Sequence, residues 1–143
     1  MVTKGALVSI NVISARDTID IRHQVLWPSL KREECILPDD PDGLHLGAFV
    51  KGQLVSALSL FRTDTGMRLR KFATCVEWQG QGIGTALLQH AMATVQGKGA
   101  SRLWCDARMA AAPFYARLGF KAEGEVFHKG GIAYVVMQCA TAG

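Results

Sequence analysis

What this chain lacks narrows its possible roles first. No hydrophobic run reaches bilayer length, and the first twenty residues interleave Lys4, Arg16, Asp17 and Asp20 with apolar positions. Neither a membrane span nor a secretory leader is expected, and the reading is cytoplasmic. The four cysteines, Cys35, Cys75, Cys105 and Cys139, stand far apart with no CxxC pair and no histidine pairing nearby. That removes the zinc-site and disulfide-framework signatures, leaving buried free thiols and no expected metal. Aromatic residues make up only 8% of the chain, and none interleaves with the basic cluster Arg68, Arg70 and Lys71. A base-stacking nucleic-acid surface is therefore not indicated, and the cluster reads as the solvated face of a strand. The excess of sixteen basic over twelve acidic side chains is mild.

What is present suits one globular domain over residues 1–143, with 49% hydrophobic content to fill its core. Residues 7–14 are rich in β-branched side chains and predict a strand. Ser14 and Asp17 have capping-box spacing, and Ile21, Val25 and Leu26 continue at helical spacing, which predicts a helix over 15–27. Residues 28–43 hold three prolines and three aspartates and read as loop, with Asp39, Asp40 and Asp42 as turn-formers facing water. Runs at 45–50 and 54–61 flank Lys51-Gly52-Gln53 as a hairpin, and 67–76 adds a third antiparallel strand.

Ile83, Leu87, Ala91 and Val95 fall at i+4 spacing, with Gly97 and Gly99 to end that helix. Residues 102–107 form a nearly continuous apolar run, expected of a strand buried on both faces. A short helix over 109–118 and a closing hairpin of 120–127 with 132–139 complete the order. A helix between the third and fourth of these later strands makes that pair a parallel βαβ unit inside an otherwise antiparallel sheet.

The densest local signal is Gln79-Gly80-Gln81-Gly82-Ile83-Gly84-Thr85, glycines that open directly into a helix. Unpaired N–H groups and the positive dipole end at a helix start favour an anion, and glycines let it approach the backbone. The motif is not a Walker A loop, because Gly84 is followed by Thr85-Ala86 rather than Lys-Ser/Thr. It also misses the dinucleotide fingerprint by one residue, since the third glycine would fall at Thr85. Taken alone, these glycines serve equally well for a tight turn and close packing.

In its setting, the stretch Gln79 to Gly84 resembles the Q/R-x-x-G-x-G/A signature of the GNAT superfamily of acetyl-CoA-dependent N-acetyltransferases. Residues 107–120, ARMAAAPFYARLGF, are similar to the family's second pattern, and IRHQVLW, LWCDAR and GEVFHKGGI resemble small bacterial members of unassigned substrate. The resemblance implies an α/β fold of the α+β mixed-sheet kind, mostly antiparallel, with a splayed central parallel strand pair and flanking helices. It implies acetyl-CoA as co-substrate, with the backbone of Phe72, Ala73 and Thr74 on the pantetheine arm. Gln81, Gly82, Gly84 and Thr85 would then cradle the pyrophosphate, with Gln79, Gly80 and Phe114 also at the cofactor. Tyr115 corresponds to the tyrosine that protonates the departing thiolate.

Other roles stay open at this stage. The third strand carries no acid before Glu77, so the general base is unassigned; Asp106 is a candidate that equally suits a helix cap. Arg108 is expected to contact the cofactor or the substrate. Tyr134 stands where relatives often carry histidine, so that histidine's role does not transfer. The implied reaction is acetyl transfer to a primary amine, small-molecule or peptide, by direct attack in a ternary complex. The alternative is an acyl-CoA-binding sensor or partner-binding module on the same fold. No nucleic-acid or membrane partner is expected, and small family members suggest a homodimer.

Overall fold

The computed structural model describes residues 8–141 of the 143, so Leu7 of the expected first strand lies outside them. Seven strands form one sheet: β1 (Val8–Ile13), β2 (Leu44–Val50), β3 (Gln53–Thr63), β4 (Gly66–Thr74), β5 (Arg102–Arg108), β6 (Lys121–Lys129) and β7 (Ile132–Ala140). Their order across the sheet is β1-β2-β3-β4-β5-β7-β6, and among the described residues the only parallel pair is β4 with β5. This is the mixed, mostly antiparallel sheet that the element order predicts.

Helix α2 (Ile83–Gly97) crosses from β4 to β5 and buries Ile83, Leu87, Leu88, Ala91 and Val95, the stripe its periodicity marks. Together with α3 (Ala112–Arg117) it covers the face of the sheet that carries Leu58, Leu60, Met67, Leu69, Leu103 and Cys105. A smaller cluster of Ile21, Ala57, Ala73 and Cys75 packs against Val25 and Leu26. All four cysteines are free and buried.

Three expectations are corrected. The continuous helix over 15–27 is instead a 3-10 turn at Arg16–Thr18, a single α turn α1 (Ile19–Ile21) and a π turn at Arg22–Leu26. The Ser14 and Asp17 capping box does form, at 3.1 Å in both directions. The irregularity coincides with Arg22, whose side chain is fully buried and donates to both Asp40 carboxylate oxygens at 2.8 and 2.9 Å, to Cys35 O at 3.0 Å and to Ser59 Oγ at 3.1 Å. Asp40 is thus not a turn-former facing water, and it also accepts from the Leu37 N–H at 2.9 Å. Finally, β5 is not buried on both faces: Leu103, Cys105 and Ala107 are buried, whereas Trp104 and Asp106 on the other face are half-buried.

Candidate active site

The site begins where β4 and β5 part. Their ladder is limited to Met67 with Leu103 and Arg68 with Trp104, so beyond Arg68 the strands diverge and β4 has no β5 partner. A bulge helps to bend β4 away: the β3 and β4 register shifts between Ala57 and Ser59, and Lys71 takes a left-handed φ of 54° there. The gap left between the strands is flanked by two cavities.

The first cavity, of about 540 Å³, is bordered by the open part of β4 and the start of α2. Phe72, Ala73, Thr74, Gln79, Gly80, Gly82, Gly84, Thr85, Phe114 and Tyr115 all line it. Gly80 and Gly82 have φ of 73° and 81°, which only glycine adopts readily, and a Cβ at either would meet nothing within 4 Å. Gly82 caps α2, and no side chain caps that helix, so the positive end of its dipole opens at the cavity. Gln81 is not in the lining; its side chain donates to Glu77 O at 3.2 Å. Arg117, Trp78 and Val25 also line the cavity. They escaped the sequence reading, although Arg117 lies two residues beyond Tyr115 and adds a cation near the helix start.

The second cavity, of about 300 Å³, is lined by Leu26 and Trp27, by Arg68, Arg70 and Lys71 of β4, by Cys105, Asp106 and Arg108 of β5, and by Lys129 and Tyr134 of the last hairpin. Arg108 therefore stands in this cavity and not in the one with the glycine loop. Asp106 caps no helix; its Oδ2 accepts from Arg68 at 2.9 Å and lies 3.5 Å from Lys129 Nζ. Arg68, Arg70 and Lys71 are not a solvated strand face. All three are half-buried, because the π turn and the last hairpin close over that side of the sheet. Burial, with Arg70 as the next cause, lowers the Lys71 pKa to about 8. The alternation of Arg68 and Arg70 on one face was the sequence signal for this wall.

Tyr115 lines both cavities. Rings on two sides fix it, Phe114 at 5.3 Å and Phe120 at 5.4 Å between centroids. Burial, followed by the neighbouring Cys105 thiol, pushes its phenol pKa well above the ordinary value. Cys105 is itself pushed up to about 12, chiefly by burial. The tyrosine is therefore protonated, and able to donate, throughout the ordinary pH range.

The family model for the acetyltransferase (GNAT) domain matches residues 23–141. This chain belongs to the GNAT acetyltransferase family. It is similar to the uncharacterized N-acetyltransferase YitI of Bacillus subtilis strain 168, with 34% identity over 141 residues, covering 92% of this chain and 95% of that one. Among solved structures, the ribosomal-protein-S18-alanine N-acetyltransferase from Escherichia coli aligns with a TM-score of 0.80 at 17% identity, over 95% of each chain. A GNAT family acetyltransferase from Elizabethkingia anophelis with acetyl-CoA bound aligns at 0.75 and 18%, over 93% of this chain and 97% of that one. This GNAT domain is thus an acyltransferase. Among the described residues, no helix is long and apolar enough to cross a membrane, and no group of three His, Cys, Asp or Glu is placed to hold a metal ion.

Proposed function

We propose that this GNAT domain transfers an acetyl group from acetyl-CoA to a primary amine by direct attack in a ternary complex. The first cavity would hold acetyl-CoA and the second the amine. The observation that carries this reading is the position of Tyr115, which lines both cavities where β4 and β5 diverge. The fit to acetyl-CoA rests on the chain's own groups: an uncapped α2 start and Arg117 for phosphates, and an unpaired β4 edge at Phe72, Ala73 and Thr74 for an amide-bearing arm.

Acetyl-CoA would supply the activated thioester carbonyl. As the amine nitrogen bonds to that carbon, the carbon–sulfur bond breaks and Tyr115 gives its hydroxyl proton to the departing sulfur. The proton of the amine leaves to water. Asp106 is not assigned that step, because its carboxylate already serves as the counter-charge of Arg68 and Lys129.

A dedicated base is not required if the cavity itself lowers the amine's pKa. An alkyl amine with a pKa near 10.4 is neutral in only about 0.04% of molecules at pH 7. A bound amine shifted as Lys71 is, to about 8, would be neutral in roughly a tenth. The desolvation that acts first on Lys71 would act on the acceptor as well.

Steady-state kinetics on the purified protein test the proposal. Lines that intersect when acetyl-CoA and amine are varied together support the ternary complex; parallel lines, or an isolable acetyl-enzyme, contradict it.

A further inference from the structure

Five cations line the second cavity, Arg68, Arg70, Lys71, Arg108 and Lys129, against one carboxylate, Asp106, an excess of four positive charges. That excess equals the formal net charge of the whole chain, +4, so the rest of the surface balances and the positive charge is concentrated here. Asp106 serves only Arg68 and Lys129. Arg70 lies 3.7 Å from the nearest Asp39 oxygen, beyond hydrogen-bond distance. Arg108 and Lys71 have no carboxylate partner among the described residues. The Arg68 Nε–H is buried without an acceptor among them.

Cations gathered in this way cost stability unless something neutralises them. The backbone adds to that cost, because the bulge against β3 holds Lys71 at φ 54°. Burial and four neighbouring cations, Arg70, Arg22, Lys129 and Arg68, already lower its pKa. An anion would supply the counter-charge that Lys71 and Arg108 lack. A cavity of about 300 Å³ is at the small end for ligand sites, which suits one compact molecule rather than a peptide segment.

We propose that the acceptor is a small amine carrying its own anionic group, a carboxylate or a phosphonate, held by Lys71, Arg70 and Arg108 with its amine toward Asp106 and Tyr115. This rests on the acetyl-transfer reading above. A polycationic acceptor, such as a polyamine or a lysine-rich peptide, would be repelled from the same wall.

Matched amines test it, using the full chain, saturating acetyl-CoA and release of the CoA thiol as readout. α-Amino acids are paired with their α-carboxamides, and 2-aminoethylphosphonate with its neutral dimethyl ester. The expected result is kcat/KM at least tenfold higher for the anionic member of a pair, and the pair that responds distinguishes carboxylate from phosphonate. Arg108 is exposed and in no ion pair among the described residues, so Arg108→Gln will fold; it is expected to lower kcat/KM for the anionic member tenfold or more. The ratio of kcat/KM between the anionic and the neutral member should fall with it at least fivefold, and Arg108→Lys should restore part of that preference. Neutral or cationic amines accepted as well as anionic ones, or a preference unchanged in Arg108→Gln, would overturn the proposal and leave acetyl transfer standing. Acetyl-CoA binding without transfer to any amine would overturn both.

Discussion

Lys71 Nζ lies 4.1 Å from the centre of the Trp27 ring, which makes the indole face the nearest counterpart of a charge otherwise surrounded by cations. A cation–π contact offsets part of the cost of burying an ammonium but does not neutralise it. The pKa of Lys71 in the folded protein accordingly stands at about 8, below its ordinary 10.5.

The consequence for stability has a definite sign. Between pH 8 and 10.5 the folded protein has released a proton that the unfolded chain still holds, so rising pH through that window favours folding. Lys71→Met keeps the backbone strain and removes the charge. It should unfold at higher denaturant than the parent at pH 7, with the difference shrinking toward pH 10.5. A variant no more stable than the parent at pH 7 would count against the buried charge.

Arg22 and Asp40 form the buried pair that ties the 28–43 loop to the helical segment before it. Burial alone would raise the Asp40 pKa; the Arg22 hydrogen bonds, the Leu37 N–H and the Arg22 charge reverse this and hold it below its ordinary range. Its contribution is therefore complete above pH 3.8 and lost as pH falls through the lower native value. Asp40→Asn leaves Arg22 buried without a counter-charge and should cost about 3–5 kcal/mol, read by denaturant unfolding at pH 7.

Gly82→Ala tests the glycine loop. The added methyl meets nothing within 4 Å, so the cost is backbone alone, about 1–2 kcal/mol for a non-glycine residue at a φ of 81°. The loop should relax away from this geometry, and acetyl-CoA affinity, measured by calorimetry, should fall at least tenfold. Unchanged affinity would place the phosphates elsewhere.

Asp106→Asn separates two roles for the one acid in the second cavity. A general base would be missed by 10²-fold or more in kcat. A residue that holds Arg68 and Lys129 and draws the amine should instead raise KM for the amine and leave kcat within about tenfold.

Much of this architecture is legible in the sequence because it is periodic or local. The α2 stripe, the hairpin turns and the glycine loop depend on neighbours within a few positions, and the structure follows them. The interruption of the N-terminal helix is not legible locally, because it turns on Arg22 meeting Asp40 and Ser59, 18 and 37 residues away. The basic wall is hidden in the sequence for a related reason. Arg68 and Arg70 look like an outer strand face until Lys129 from the last hairpin and Trp27 from the π turn arrive over them. Nor does a lysine in sequence announce a left-handed backbone; only the bulge against β3 imposes it.

Tyr115→Phe is the most direct test of the central claim, that one protonated phenol serves both cavities. The substitution removes a single oxygen from a packed aromatic site, so folding and acetyl-CoA affinity should stay within twofold of the parent. Measured in single turnovers with an accepted amine, the rate of acetyl transfer should fall by about 10²-fold or more. A Tyr115→Phe protein that transfers acetyl at the parent rate would show that the departing sulfur takes its proton from elsewhere.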